Sequence, residues 1–372
     1  MTGMHRVGGM PLLICGAFLA SGACRSDRAD PDSSPPDAIV DASPNDGVAD
    51  PGAPDGLYYP PLTGDEWRTI APADLGWDPA KLEEAIGYVG DNNSTAFLIL
   101  YRGRIVAERY WLGWGPHTRG VIASAAKSVM AFLCGLAVQD GALDITRTVT
   151  GYLGAGWSTA PADKEAAITV RHLLTMTGGL DESLAYEADA GTTWFYNTPA
   201  YYVLADVIGA ATGIDRDAYS AQRLHAVIGM QDSGWAAKSL AASARDMARF
   251  GLMILGDGAW DGTPLLTDAA YYGQMLDTSQ DLNTSYGYLW WLNGKASFLL
   301  PGAPAVAGFG PLIPDAPADL VAALGKGDKK IYVVKSRDLV VVRHGEATGV
   351  EPQSALSSFD NLLWQKLMAA MP

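Results

Sequence analysis

The chain is poor in the residues that would support several kinds of chemistry. It has three cysteines, Cys15, Cys24 and Cys134, and they form no paired framework. Cys134 sits in an apolar helical pattern and reads as a small buried hydrophobe, not a nucleophile. Five histidines are scattered, with no HExxH and no His/Cys cluster, which argues against a catalytic metal. There is no GxSxG elbow, which argues against a lipase-type α/β-hydrolase. Positive charge is also scarce. The formal net charge is -15 and no basic stripe offsets it, so nucleic acid is not an expected partner.

What is present begins with an apolar leader. Residues 1–23 read as an export signal: His5 and Arg6 give a weakly basic start, Met10–Ala20 is an apolar run too short to span a bilayer, and Ala20-Ser21-Gly22-Ala23 offer small residues for cleavage. Cys24 follows directly and resembles the lipidated cysteine of a bacterial lipoprotein. Residues 24–57 then read as a disordered linker. Arg25–Gly56 holds eight Asp, two Arg and six Pro, a balance of -6, with no aromatic residue. The expected localisation is the bacterial cell envelope, with the membrane as a partner through a lipid anchor. Periplasmic or secreted export without the lipid is the alternative.

Residues 58–372 carry the periodicities of a folded body. Asp78-Pro79 is a cap-plus-Pro start for a helix through Val89. Phe97–Tyr101 and Ile105–Tyr110 read as a hairpin around Arg102-Gly103-Arg104. Helices are expected over Ser124–Asp140, Val170–Met176 behind Thr169, Ala200–Ala211 behind Thr198-Pro199, from Ser243 through Leu255, and over Ser354–Ala370. Ile331–Val334 and Leu339–His344 are a second pair of strands. Strands at both ends with helices between predict an α+β body: an antiparallel sheet flanked by helices, plus a mostly helical region.

The chemistry is carried by Ser124-Ala125-Ala126-Lys127. At a helix start, residues three apart share a face, which puts an ammonium beside a hydroxyl. Serine needs an adjacent base to become a nucleophile. Lysine can be that base if desolvation lowers its pKa, and Val121, Ile122, Val129 and Met130 supply an apolar setting. Taken alone, Ser-x-x-Lys reads first as a helix N-cap serine with a surface lysine.

Two further stretches change the weighing: Gly191-Thr192-Thr193-Trp194-Phe195-Tyr196-Asn197-Thr198-Pro199-Ala200-Tyr201 and Gly325-Lys326-Gly327. With Ile168–Leu180, Ala244–Phe250, Tyr286–Trp291 and Asp338–Arg343, in this order, the chain resembles the serine β-lactamase and penicillin-recognising superfamily. Its likeness is to the class C, esterase and 6-aminohexanoate-oligomer hydrolase branch.

The resemblance implies a β-lactamase/transpeptidase-like fold and a cofactor-free serine hydrolase. Ser124 would form the acyl-enzyme, Lys127 would take its proton, and Tyr196 would relay a proton to the leaving group. The backbone N–H groups of Ser124 and Lys326 would form the oxyanion hole, with Gly327 as the alternative second donor.

The chain also departs from the family pattern. The Asn often found two residues after the tyrosine is here Thr198, which reads as a helix cap, with Asn197 as the substitute amide. The Lys/His-Thr-Gly box is replaced by Gly325-Lys326-Gly327, followed by Asp328-Lys329 where the oligomer hydrolases often have Gly-Gln. Trp290 and Trp291 read as acyl-pocket lining or as core.

The expected substrate is therefore a small-molecule ester or linear amide. A β-lactam or a D-Ala-D-Ala peptide is the alternative, and a catalytically silent surface binding protein with the same fold is another. Neither the substrate nor the oligomeric state has a readable code.

Overall fold

A computed structural model describes residues 56–348 and 356–372. The expected export signal, Cys24 and nearly all of the expected linker fall outside these residues. The main sheet is built from β1 (Ser94–Tyr101), β2 (Arg104–Tyr110), β3 (Trp291–Leu292), β4 (Val321–Gly325), β5 (Lys329–Val334) and β6 (Leu339–Gly345), in the order β2-β1-β6-β5-β4-β3. Every pairing is antiparallel. The two predicted strand pairs thus join at the β1–β6 seam, where Leu98 lies opposite Val342.

Helices cover both faces, so β5 and β6 are buried along their whole length and read as apolar runs, not as alternations. The alternation survives in which helix each side chain meets. Tyr332 points to the face where α1 (Pro79–Asp91) and α6 (Ser358–Ala370) pack, lying edge-on to Trp364 at 5.6 Å, with Tyr88 stacked on Phe359. Ile331 and Val340 point the other way, toward α5 (Ala244–Leu255). There Gly251 lets the helix approach closely: a β-carbon on it would fall 2.5 Å from Val340 Cγ1.

The helical region is organised around α2 (Ala126–Gln139), buried on all sides from Ala126 to Ala137. A helix apolar all round belongs in a core, and α2 has α4 (Thr198–Thr212) packed against it. Cys134 is fully buried within it, and burial pushes its thiol up to about 12.

The helix starts follow cap chemistry. Asp78 accepts from the N–H groups of Ala80 and Lys81, and Ser243 accepts from that of Asp246. Ahead of α3 (Val170–Leu174), Thr169 and His172 close a reciprocal capping box. One start differs from expectation: Asn197, not Thr198, caps α4, and Pro199 occupies its second position. The last helix begins at Ser358, not Ser354, because Ser357 and Asp360 form its capping box.

Candidate active site

The nucleophile candidate sits on a short strained turn. The strand Arg119–Val121 leads through buried Ile122 to Ala123, whose φ of +51° is left-handed. A non-glycine residue there costs on the order of 1 kcal/mol. A 3₁₀ turn, Ala123–Ala125, then feeds α2. Ser124 caps nothing; neither the 3₁₀ turn nor α2 has a side-chain cap. Its hydroxyl is engaged instead by Lys127 Nζ at 3.0 Å.

Lys127 is almost fully buried, and that desolvation brings its pKa down to about 7. Its ammonium also donates to Thr198 Oγ1 at 3.2 Å. It lies 4.8 Å from the ring centre of Tyr196 and 4.6 Å from that of Tyr201. Two aromatic rings and two hydroxyls therefore enclose a single amine.

Tyr196 is held by an aromatic cluster. Trp291 stacks on it at 5.9 Å and 23°, while Tyr286 meets it edge-on at 6.3 Å. Trp194 braces both Trp291 and Tyr286. Burial pushes the Tyr196 phenol up, and a hydrogen bond with Ser124 partly offsets this.

The third element arrives from the sheet. A β-carbon built on Gly325 would fall 2.3 Å from Ile122 O and 3.3 Å from Ala125 N. The end of β4 is thus pressed against the backbone of the Ser124 turn. Lys326 follows with an exposed side chain, and then Gly327 turns the chain with φ +79°.

Several sequence expectations need correction. Asn197 does not face the site: its Oδ1 accepts from Ala200 N, and its Nδ2 donates to Leu180 O and Asp181 O, both at 2.8 Å. Its amide is consumed by capping α4 and tying down the 180–181 loop. Thr198, expected to cap, is the residue that reaches Lys127. Trp290 is fully buried and stacks on Phe250 at 6.0 Å, so it belongs to the core beneath α5. Only Trp291 of that pair backs the site.

The four described histidines are engaged elsewhere. His117 meets Asp65 and Asp232, His172 closes its capping box, His225 pairs with Ser220, and His344 packs on Trp114. Among the described residues, no group of three or more His, Cys, Asp or Glu side chains is arranged to hold a metal ion.

Sequence reasoning missed Tyr201 and Tyr286 as parts of the site, although both lay in the motif stretches. No one-dimensional signal separated their rings from ordinary core.

Ser124 on its strained turn thus meets a buried amine from α2 and lies beside the end of β4, with the Tyr196 ring against that amine. Residues 80–239 match the family model described as Beta-lactamase, a span that holds Ser124, Lys127 and Tyr196. A 6-aminohexanoate-dimer hydrolase of Paenarthrobacter ureafaciens is 23% identical, over 54% of this chain and 64% of that protein. The match spans less than two thirds of that relative's length.

Among solved structures, the "putative beta-lactamase" of Bacteroides dorei DSM 17855 superposes with a TM-score of 0.63. It is 16% identical and covers 79% of this chain and 99% of its own. The "putative 6-aminohexanoate-dimer hydrolase" of Bacillus anthracis gives a TM-score of 0.60 at 18% identity, covering 83% and 89%. Residues 80–239 thus carry a Beta-lactamase family match, and the fold is the one shared by β-lactamase and penicillin-binding-protein-like structures.

Proposed function

We propose that the protein hydrolyses a carboxylic ester or a linear amide through an acyl-enzyme on Ser124. The observation that carries this is the 3.0 Å contact between Ser124 Oγ and an amine whose pKa is brought to about 7. Near neutrality an appreciable fraction of Lys127 is the free amine, which can accept the serine proton. Ser124 Oγ then bonds to the carbonyl carbon, and the carbonyl electron pair moves onto oxygen. The N–H groups of Ser124 and Lys326 receive that oxyanion; the close approach of Gly325 to the Ser124 turn supports this pairing.

As the intermediate collapses, the proton passes through the Tyr196 phenol to the leaving alcohol or amine. Water then attacks the acyl carbon and gives up a proton along the same route. The acid is released and Ser124 regains its hydrogen. Thr198 supports the amine as an acceptor. We favour esters and linear amides over β-lactams because Gly325-Lys326-Gly327 lacks the Lys/His-Thr-Gly box.

A fluorophosphonate probe on residues 56–372 tests the reading. Labelling is expected in the wild type and lost in Ser124→Ala. Labelling by a fluorescent penicillin as well would shift the substrate class to β-lactams or muropeptides. Labelling by neither would favour a silent binding protein.

The proposal also places the body at the cell envelope, tethered through Cys24. Metabolic labelling of the full chain with a radioactive fatty acid in a bacterial host should be abolished by Cys24→Ala. Equal label in both would refute the tether.

A further inference from the structure

Asp328 follows the Gly325-Lys326-Gly327 segment and is a carboxylate buried to 2% exposure, which the chemistry above does not use. It adopts φ +57°, so the β4–β5 turn contains two consecutive left-handed residues, the other being Gly327. Asn and Asp tolerate this region better than most residues, but at a cost that glycine avoids. What holds Asp328 there is a dense set of partners. Its Oδ1 meets Lys330 Nζ at 3.1 Å and accepts from Ser357 Oγ at 3.0 Å. Its Oδ2 accepts from Thr348 Oγ1 at 2.9 Å and from Thr348 N at 3.2 Å. Lys330 and the Tyr332 hydroxyl in turn engage Asp360, which anchors the start of α6.

Arg343, fully buried on β6, grips the same turn by its backbone. Its Nη1 donates to Asp328 O at 2.7 Å and to Gly327 O at 3.2 Å. Its Nη2 and Nε are fixed by Asn92 O, Glu346 O and Ser94 Oγ. The orientation of the two peptide groups after Gly327 is therefore set by a guanidinium that cannot swing. The turn's position is set by a carboxylate clamped from three segments. Both constraints act within two residues of the Lys326 N–H.

We propose that Asp328, together with Arg343, is a positioning pair that fixes the β4–β5 turn so that the backbone donor after Gly325 points at the reacting oxygen. The inference rests on the hydrolase reading and deepens it. It explains why this chain carries Asp-Lys after the second glycine. The carboxylate ties the turn to Lys330, Thr348 and Ser357, and Arg343 holds its carbonyls. A donor aimed at a developing oxyanion acts on the transition state more than on substrate binding. Loosening the turn should therefore lower kcat and leave KM nearly unchanged.

The test is Asp328→Asn, which keeps the shape and the left-handed preference and removes the charge. With p-nitrophenyl butyrate, kcat is expected to fall roughly 10²-fold, the loss typical of an ångström-scale misplacement, with KM within about threefold of wild type. A phenylboronic acid, whose tetrahedral adduct occupies the oxyanion site, should bind more weakly by a comparable factor. Thermal unfolding would confirm that the variant is folded. If it is not, the milder Thr348→Val and Ser357→Ala variants replace it, each expected to lower kcat several-fold at constant KM.

Variants with wild-type kcat, or with kcat and boronate affinity that fail to move together, would overturn the inference. A wild-type protein that takes no fluorophosphonate and hydrolyses no ester would overturn the hydrolase reading itself. An active wild type beside unimpaired variants overturns the positioning role alone.

Discussion

Replacing Lys127 by methionine is expected to abolish ester turnover and to stabilise the folded protein. An unfolded lysine holds its proton to about pH 10.4, whereas the buried Lys127 releases it near 7. Between those values the unfolded chain binds more protons than the folded one, so stability rises with pH. The destabilisation is complete below about pH 7, shrinks as pH climbs, and disappears above the unfolded value. The gap between the two pKa values corresponds to about 4–5 kcal/mol.

Methionine has similar length and no charge, so it removes this penalty. It also leaves the Ser124 and Thr198 hydroxyls without their shared partner, which takes back about 1–2 kcal/mol. A net gain of about 2–3 kcal/mol at pH 7 follows, narrowing toward pH 10. Urea unfolding at pH 6, 7 and 9 measures it. A variant less stable than wild type at pH 6, or a difference that ignores pH, would contradict the desolvated amine. In the wild type, kcat/KM should rise through about pH 7 as the base loses its proton, and Lys127→Met should fall by roughly 10³-fold or more.

The second large effect comes from one methyl group. Gly325→Ala would place a β-carbon where Ile122 O now lies 2.3 Å away. That obstacle is backbone, so it cannot rotate aside. Either β4 withdraws from the Ser124 turn or the turn tilts, and both separate the two backbone N–H groups that would receive the oxyanion. A displacement near 1 Å is expected to lower kcat by roughly 10²-fold. The fold should lose only about 1–3 kcal/mol, as overpacking typically does, because the site lies at a strand end. Steady-state kinetics and thermal unfolding together check this. A variant retaining more than about a tenth of wild-type kcat would show that the close approach is not needed.

Both effects were partly legible in the sequence. Ser124, Lys127 and the capped helices could be read because local chemistry decides them: i to i+3 spacing, Asp-Pro and Ser starts, and glycine stops. The sheet was legible where β-branched residues are dense, in β5 and β6. Strand β4 was not, because Val-Ala-Ala-Leu-Gly has neither alternation nor strong β preference, and it is made a strand by β5 beside it.

The exchange of roles between Asn197 and Thr198 was equally hidden. Both residues can cap, and the choice fell to Asn197 because its amide also reaches the carbonyls of Leu180 and Asp181, seventeen and sixteen residues upstream. Trp290 stacks on Phe250 and Trp291 on Tyr196 just where the chain enters the two-residue strand Trp291–Leu292, an element too short to read. The buried network around Asp328 joins the β4–β5 turn to β5, β6 and α6, and no spacing rule foretells a meeting of that kind.

The β1–β6 seam has a consequence for how the molecule comes into being. While the polypeptide emerges from the ribosome, Leu98 and its hairpin mate wait with an open edge, because their partner around Val342 is made 244 residues later. Such distant pairing closes slowly. Until it closes, the strand bearing Gly325 has no completed sheet to hold it against the serine turn. Until then the nascent chain carries the Ser124 hydroxyl and the Lys127 amine without the β4 backbone beside them, so the proposed site would be assembled as one late event.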